Sequence, residues 1–343
     1  MVVIKNEKVL SPEYLPEILP HRETQIQQIA DNLKPAAFNR TPQNMFIYGG
    51  PGIGKTACIK YVFREFEKFS DKIKTIYINT WDYNTSTAVL NKIIISLGYP
   101  MPRRGLSKDE MIEKLVELLK KNKGIIICLD EVDQLVRKDQ KALYDLLRLN
   151  QYVDVPIGLV FISNYHDVFV NLEERIRSSL DIEEIEFKSY SLNEMKDIIS
   201  ERVKDAFSSV ENGVVLLVAN YATNKKDVRA GLELLRKSAR LAENDEKLRV
   251  KHVKEILKNI SGNIKEKIIK SKLGIIEKNI LEILKNEKDI TSTQLNEKYN
   301  NLFGKISQPT FRKYIKHLED LKLIQIKTSR ENTRGNKFFI RLV

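Results

Sequence analysis

Cysteine is scarce: Cys58 and Cys128 are the only two in 343 residues, and they stand 70 positions apart in apolar surroundings. That spacing excludes a disulfide framework and a CxxC metal site. The four histidines, His21, His166, His252 and His317, are equally scattered, so no zinc site is expected. Long hydrophobic runs are missing as well. Segments such as Gly124 to Leu129 and Pro156 to Ile162 fall far short of the roughly 18 apolar residues that a membrane helix needs. The opening MVVIKNEKVLSPEY is broken by Lys5, Glu7 and Lys8 and lacks the apolar core and small-residue cleavage site of a secretory signal. The expectation is a cytoplasmic protein without a membrane partner.

What is present is an ordinary apolar content of 42%, which excludes intrinsic disorder as the main theme, and a length suited to two or three domains. The charge is unevenly placed. Residues 264–343 carry 18 Lys and Arg against 9 Asp and Glu, so this last quarter holds nine of the twelve surplus positive charges. A basic terminal domain on a nearly balanced body is the usual electrostatic footprint of nucleic-acid binding, although a solvated basic surface gives the same count.

Between Asn44 and Asn164, short β-rich apolar runs alternate with amphipathic helical stretches, which predicts a parallel α/β sheet. The runs are Met45 to Tyr48, Lys74 to Asn79, Gly124 to Leu129 and Pro156 to Ser163. Helical windows follow at Glu194 to Ala206, Val214 to Ala222 and Val228 to Ala242, and the pattern breaks at Ser261 to Asn263. Beyond it, Ile276, Ile280, Ile283 and Leu284 form one helical stripe. Thr291 and Gln294 form a capping box, and a third helix opens at Ser307 with Phe311, Ile315 and Leu318 on its inner face. Two alternating strands, Ile324 to Thr328 and Lys337 to Leu342, flank the turn-rich SRENTRGN. Three helices and a basic hairpin describe a winged helix-turn-helix.

The strongest motif is GGPGIGKT, Gly49 to Thr56, directly after a strand and before a helix. Glycines at Gly52 and Gly54 let the N–H groups of residues through Ile53 and Ala57 wrap a polyphosphate, Lys55 meets the β and γ phosphates, and the Thr56 hydroxyl suits magnesium. The second motif is GIIICLDEVDQL, an apolar strand ending in two acids. Asp130 at its carboxyl end is suited to hold magnesium through water, and Glu131 to polarise an attacking water; a strand ending in a solvated acidic loop is the plain alternative. Asn164, after the fourth run, is suited to orient the same water or simply to form a turn.

These motifs together resemble an AAA+ ATPase, and more specific stretches resemble the archaeal origin-recognition initiators, relatives of the eukaryotic origin-recognition and cell-division-control loaders. The stretches are YLPEILPHRETQIQQIADNL, LEERIRSSL and KKDVRAGLELLRKSARLAE, followed by the winged helix. The resemblance implies that Arg229 is a lid arginine reaching the γ phosphate, that Tyr190 and Arg202 contact the nucleotide, and that Arg175, with Arg177 as its rival, is a finger acting on a neighbour's ATP. His21 and Arg22 would border the adenine or pack structurally. An insertion at Thr80 to Ser107 lies where these initiators touch DNA; its helix from Ser86 to Leu97 reads as packing, leaving Arg103 and Arg104 as the DNA candidates. On the winged helix, Gln308, Thr310, Arg312 and Lys313 would face a major groove, and Arg330, Arg334 and Lys337 a phosphate track or minor groove.

The chain is therefore expected to comprise an AAA+ nucleotide-binding α/β domain (1–189), a helical lid (190–262) and a winged-helix DNA-binding domain (263–343). Its expected function is that of an ATP-dependent initiator that binds origin DNA and helps load the replicative helicase. ATP and ADP with Mg2+ would act as a slow switch, with double-stranded DNA and paralogous initiator subunits as partners. Two alternatives stay open: a related transcriptional regulator at promoters, and a signalling ATPase whose winged helix docks protein.

Overall fold

Strand β1 (Asn44–Gly49) lies inside a parallel sheet because Met45, Phe46 and Ile47 are apolar on both faces and wholly buried. Its partners are β2 (Lys74–Asn79), β3 (Ile125–Asp130), β4 (Ile157–Ser163) and β5 (Ile182–Phe187), in the order β2-β3-β4-β1-β5. The computed structural model describes residues 3–70, 73–102, 105–260, 273–285, 290–320, 323–329 and 337–342, with the side chains of 327–329, 337, 338 and 342 left aside. β4 separates β1 from β3, so the glycine-rich loop after β1 and the acids after β3 flank the end of β4, where Asn164 follows Ser163.

Helices α1 (Glu23–Ala37) and α2 (Lys55–Phe69) pack together, while α3 (Ser86–Ser96) and α4 (Lys108–Lys121) pack as a pair. Val89, Leu90, Ile93 and Ile94 of α3 join the core beside Ile76 and Ile78 of β2, so the helical part of the insertion is spent on packing. The loop leading into α3 carries Trp81, the chain's single tryptophan, 61% exposed. Short helices α5 (Val132–Lys138), α6 (Lys141–Leu147) and α7 (Glu174–Arg177) complete the α/β part.

The lid consists of α8 (Leu192–Ala206), α9 (Val214–Lys225), α10 (Val228–Leu241) and α11 (residues 250–260). A reciprocal capping box between Ser191 and Glu194 opens α8, satisfying N–H groups that a helix start leaves bare. Gly231 lets α10 approach α9 and α8 closely, since a Cβ there would lie 3.0 Å from Ala222 and 3.1 Å from Ile199.

The chain divides into two units, 1–256 and 257–343. In the second, α12 (Ile275–Lys285), α13 (Ser292–Phe303) and α14 (Gln308–Asp320) accompany a three-stranded antiparallel sheet. Its strands are β6 (Ile290–Thr291), β7 (Ile324–Ser329) and β8 (Lys337–Leu342), in the order β6-β8-β7. Ile280, Leu284, Leu295, Phe311, Leu318 and Ile340 form its core, the winged-helix arrangement read from the sequence.

Candidate functional site

The loop between β1 and α2 turns on glycines that adopt left-handed backbone: Gly52 at φ 67° and Gly54 at φ 97°, a region that costs a side-chain-bearing residue free energy. Gly52 is also needed for space, because a Cβ there would come 1.8 Å from the Asp227 carboxylate of the lid. Lys55 turns back along its own loop. Its Nζ donates to the carbonyls of Gly49 and Gly50 and to Asn164 Oδ1, each at 2.8 Å. Burial pulls its ammonium from the ordinary value down to about 8, against the opposing influence of Asp130 and Glu131.

The acid strand supplies the opposite charge. Asp130 Oδ2 accepts the Thr56 hydroxyl and the Tyr77 hydroxyl, each at 2.7 Å, and Asp130 is only 4% exposed. A hydroxyl and a carboxylate in contact beside a phosphate-binding loop are hard oxygen donors that suit a magnesium ion sharing its shell with phosphate oxygens. Among the described residues no cluster of three or more His, Cys, Asp or Glu side chains could hold a metal ion. Glu131 adopts φ 56° and ψ 41° at the start of α5, and both of its carboxylate oxygens accept from Asn164 Nδ2, at 3.3 and 3.0 Å. Burial, then the charges of Asp130 and Asp133, raise its pKa above the ordinary value, which suits a proton acceptor. Asn164 thus bridges Lys55 and Glu131 across the end of β4.

The lid closes the other side. The Val228 N–H donates to the Gly52 carbonyl at 3.0 Å, so the start of α10 rests on the phosphate loop. Arg229 lines the same cleft but is held by Asp227, which caps α10. From the entry segment, Arg22 is 4% exposed and donates to the carbonyls of Ile53 (3.2 and 3.0 Å) and Lys188 (2.8 Å). Its guanidinium lies 3.9 Å from the Tyr190 ring centroid and 4.9 Å from that of Phe187, a cation–π stack. Burial pushes the Tyr190 hydroxyl up to about 12. Arg22 therefore props the phosphate loop from below, and His21, hydrogen-bonded to Asp197 at 3.0 Å, lines the cleft.

The cleft encloses about 1350 Å3. It brings together Gly52, Ile53, Gly54, Lys55, Thr56, Ala57, Asp130, Glu131, Asn164, Tyr190, Arg202 and Arg229 from five segments of the chain. Arg202 is packed over the Tyr14 ring and donates to the Val9 carbonyl at 3.4 Å. Arg175 and Arg177 are exposed on α7 and do not line the cleft. Tyr77, which lines the cleft, and Thr80, which bonds the backbone of Asp130 and Glu131, carry no motif in the sequence. Tyr77 stands on β2 opposite the inward Ile76 and Ile78, and that alternation was the one available signal for a polar face beside the acid strand.

In the second unit, Gln308, Thr310, Arg312, Lys313 and Lys316 are exposed on α14, while Phe311, Ile315 and Leu318 are buried. Lys337 opens β8. Arg103, Arg104, Arg330 and Arg334 lie outside the described residues.

A phosphate loop after β1, acids after β3, an asparagine after the intervening strand and a helical lid seated on the loop define an AAA+ nucleotide-binding ATPase. Residues 39–168 match the family model of an AAA domain, and residues 196–255 that of a Cdc6 AAA+ ATPase-type lid domain. The ORC1-type DNA replication protein 1 of Archaeoglobus fulgidus is 36% identical over 319 residues, covering 89% of this chain and 78% of that protein. Its counterpart from Sulfurisphaera tokodaii is 32% identical, covering 97% and 87%. The structure of the Aeropyrum pernix ORC1 protein in complex with DNA matches 99% of this chain and 94% of that one, with a TM-score of 0.69 and 28% identity. Cdc6p from Pyrobaculum aerophilum matches at the same coverage, with a TM-score of 0.65 and 26% identity. The chain belongs to the ORC1/Cdc6 family of DNA replication proteins.

Proposed function

We propose that this protein is an ATP-dependent replication initiator that binds double-stranded origin DNA through its winged helix and helps load the replicative helicase. The observation that carries this reading is one chain holding both a nucleotide cleft roofed by a lid and an exposed basic helix, α14, in a domain of surplus positive charge. That the related A. pernix protein was solved with DNA supports it. The working division is 1–189, 190–262 and 263–343.

In the cleft, the loop N–H groups and Lys55 bind ATP or ADP, and Tyr190 and Arg202 face the nucleotide. Thr56 and Asp130 hold Mg2+, which supplies positive charge to the phosphates. Glu131 accepts a proton from water that Asn164 orients, and Arg229 senses the γ phosphate from the lid. Because Val228 of the lid bonds the loop at Gly52 and Arg229 lines the same cleft, the bound nucleotide biases the angle between sheet and lid, and slow hydrolysis resets it. Arg175, exposed and outside its own cleft, is offered to a neighbouring, paralogous subunit. The place of action is the cytoplasm, on the nucleoid.

Genome-wide footprinting with and without ATP tests the reading. A small number of ATP-sensitive footprints at sites where replication begins is expected. Footprints spread over many promoters, with none at such a site, would replace it with a transcriptional regulator.

A further inference from the structure

Glu131 is one of four described non-glycine residues with positive φ. Its neighbour across the sheet, Thr80, is wholly buried, a polar side chain with no exposed surface. Thr80 follows the last paired position of β2, where Asn79 stands opposite Asp130. Its backbone N–H donates to the Asp130 carbonyl at 2.9 Å, and its hydroxyl is set between the carbonyls of Asp130, at 2.9 Å, and Glu131, at 2.5 Å.

Neither carbonyl depends on that hydroxyl for a partner. Asp130 O already accepts the Thr80 N–H, and Glu131 O accepts the Gln134 N–H at 2.9 Å. Satisfying buried polar groups therefore does not account for a threonine here. What the hydroxyl adds is a restraint on the peptide that leaves Glu131, the residue whose left-handed backbone costs roughly 1 kcal/mol or more to hold. Relaxing that residue to a right-handed helical start would rotate its carbonyl away from Thr80 and its Cα–Cβ bond away from Asn164 together.

We propose that Thr80 is a positioning residue for ATP hydrolysis: its buried hydroxyl pins the Glu131 carbonyl and so keeps the Glu131 carboxylate aimed at Asn164 and the cleft. The inference rests on Glu131 as the group that polarises water. The hydrogen bonds of Thr80 run to the backbone carbonyls of Asp130 and Glu131 and not to the phosphate loop, so its loss is expected to act on turnover and not on affinity, the signature of an interaction realised only on the way to the transition state.

The test uses the full chain, with ATP affinity and single-turnover hydrolysis of labelled ATP measured on Thr80→Val, Thr80→Ser, Glu131→Gln and the Thr80→Val, Glu131→Gln pair. Valine keeps the shape and removes the hydroxyl. It is expected to bind ATP within about twofold of wild type and to hydrolyse it about tenfold more slowly. Serine restores most of the lost rate, and valine adds no further loss once Glu131 is glutamine. Should valine fail to fold, Thr80→Ala against Thr80→Ser isolates the hydroxyl, since both lack the methyl. Wild-type turnover without the hydroxyl overturns the proposal, as does an equal loss of affinity and rate, a serine variant as slow as valine, or a full valine effect on top of Glu131→Gln. Wild-type turnover in Glu131→Gln alone removes the role of Glu131 itself, and the Thr80 proposal with it.

Discussion

The Asp227 carboxylate holds Arg229 three ways: Oδ1 accepts its backbone N–H at 2.8 Å and its Nε at 3.2 Å, and Oδ2 accepts its Nη2 at 3.2 Å. One acid thus caps α10 and parks the arginine proposed to sense the γ phosphate.

The two jobs separate by mutation. The ion pair is half-exposed and contributes little, whereas an N-cap is worth about 1 kcal/mol. Asp227→Ala should lower nucleotide-free stability by about 1 kcal/mol in denaturant unfolding, while Arg229→Ala should leave stability nearly unchanged and slow hydrolysis. Equal stability losses would show that the side-chain pair, not the cap, holds the lid start.

Lys55 gives a pH dependence with a definite sign. In the folded protein it loses its proton near pH 8, below its ordinary value, so between the two values the unfolded chain binds the proton more tightly. The cost of burying its charge is fully present below pH 8 and is relieved as pH rises through that window, where folding stability from this group increases. ATP requires the charged form. Calorimetry in buffers of different ionisation heat should show almost no proton uptake on ATP binding well below pH 8. Above it, uptake should approach one proton and affinity should fall up to about tenfold per pH unit. Uptake independent of pH would mean that Lys55 stays charged throughout, and Lys55→Ala should abolish binding altogether.

Arg175 on α7 is exposed and outside its own cleft. Arg175→Ala should therefore leave ATP binding and any turnover by the monomer unchanged, and reduce hydrolysis only in mixtures in which subunits assemble. Loss of turnover in a demonstrated monomer assigns Arg175 to its own chain.

On α14, Arg312 is exposed one residue after the buried Phe311. If it reads a base edge, Arg312→Ala should cost about 1 to 3 kcal/mol on the preferred duplex and less on a scrambled one. If it contacts phosphate, both duplexes weaken alike and the slope of log affinity against log salt falls by about 0.9. A salt series on the two duplexes distinguishes these outcomes, and no change on either excludes Arg312 from the DNA interface.

Local signals are legible in the sequence because they depend on near neighbours. β1 to β4 followed from apolar runs, and the Thr291–Gln294 capping box stands as spacing predicts. β5 escaped because IEEIEF presents Glu183, Glu184 and Glu186 to solvent and buries only Ile185 and Phe187. It is an edge strand, recruited by the backbone of β1 and protected by outward charge. Tyr77 and Thr80 escaped for another reason: their partners Asp130 and Glu131 lie about fifty residues away, and only the β2–β3 register brings them together. Arg22 was expected at the adenine or in packing; it is buried against two rings and two backbone carbonyls, an environment that no pattern of charges along a chain reveals.

Trp81 follows Thr80 directly, and its backbone N–H donates at 3.0 Å to the Asn79 side chain, which lines the cleft. It is the sole tryptophan and stands 61% in solvent. The molecule thus carries a built-in optical reporter, its emission governed by the wetness of one indole ring a single peptide away from the hydroxyl that restrains Glu131. Excitation beyond the tyrosine band isolates it from the thirteen tyrosines. A rearrangement at the end of β2 that changes the exposure of this ring can therefore be followed in real time on the unlabelled protein.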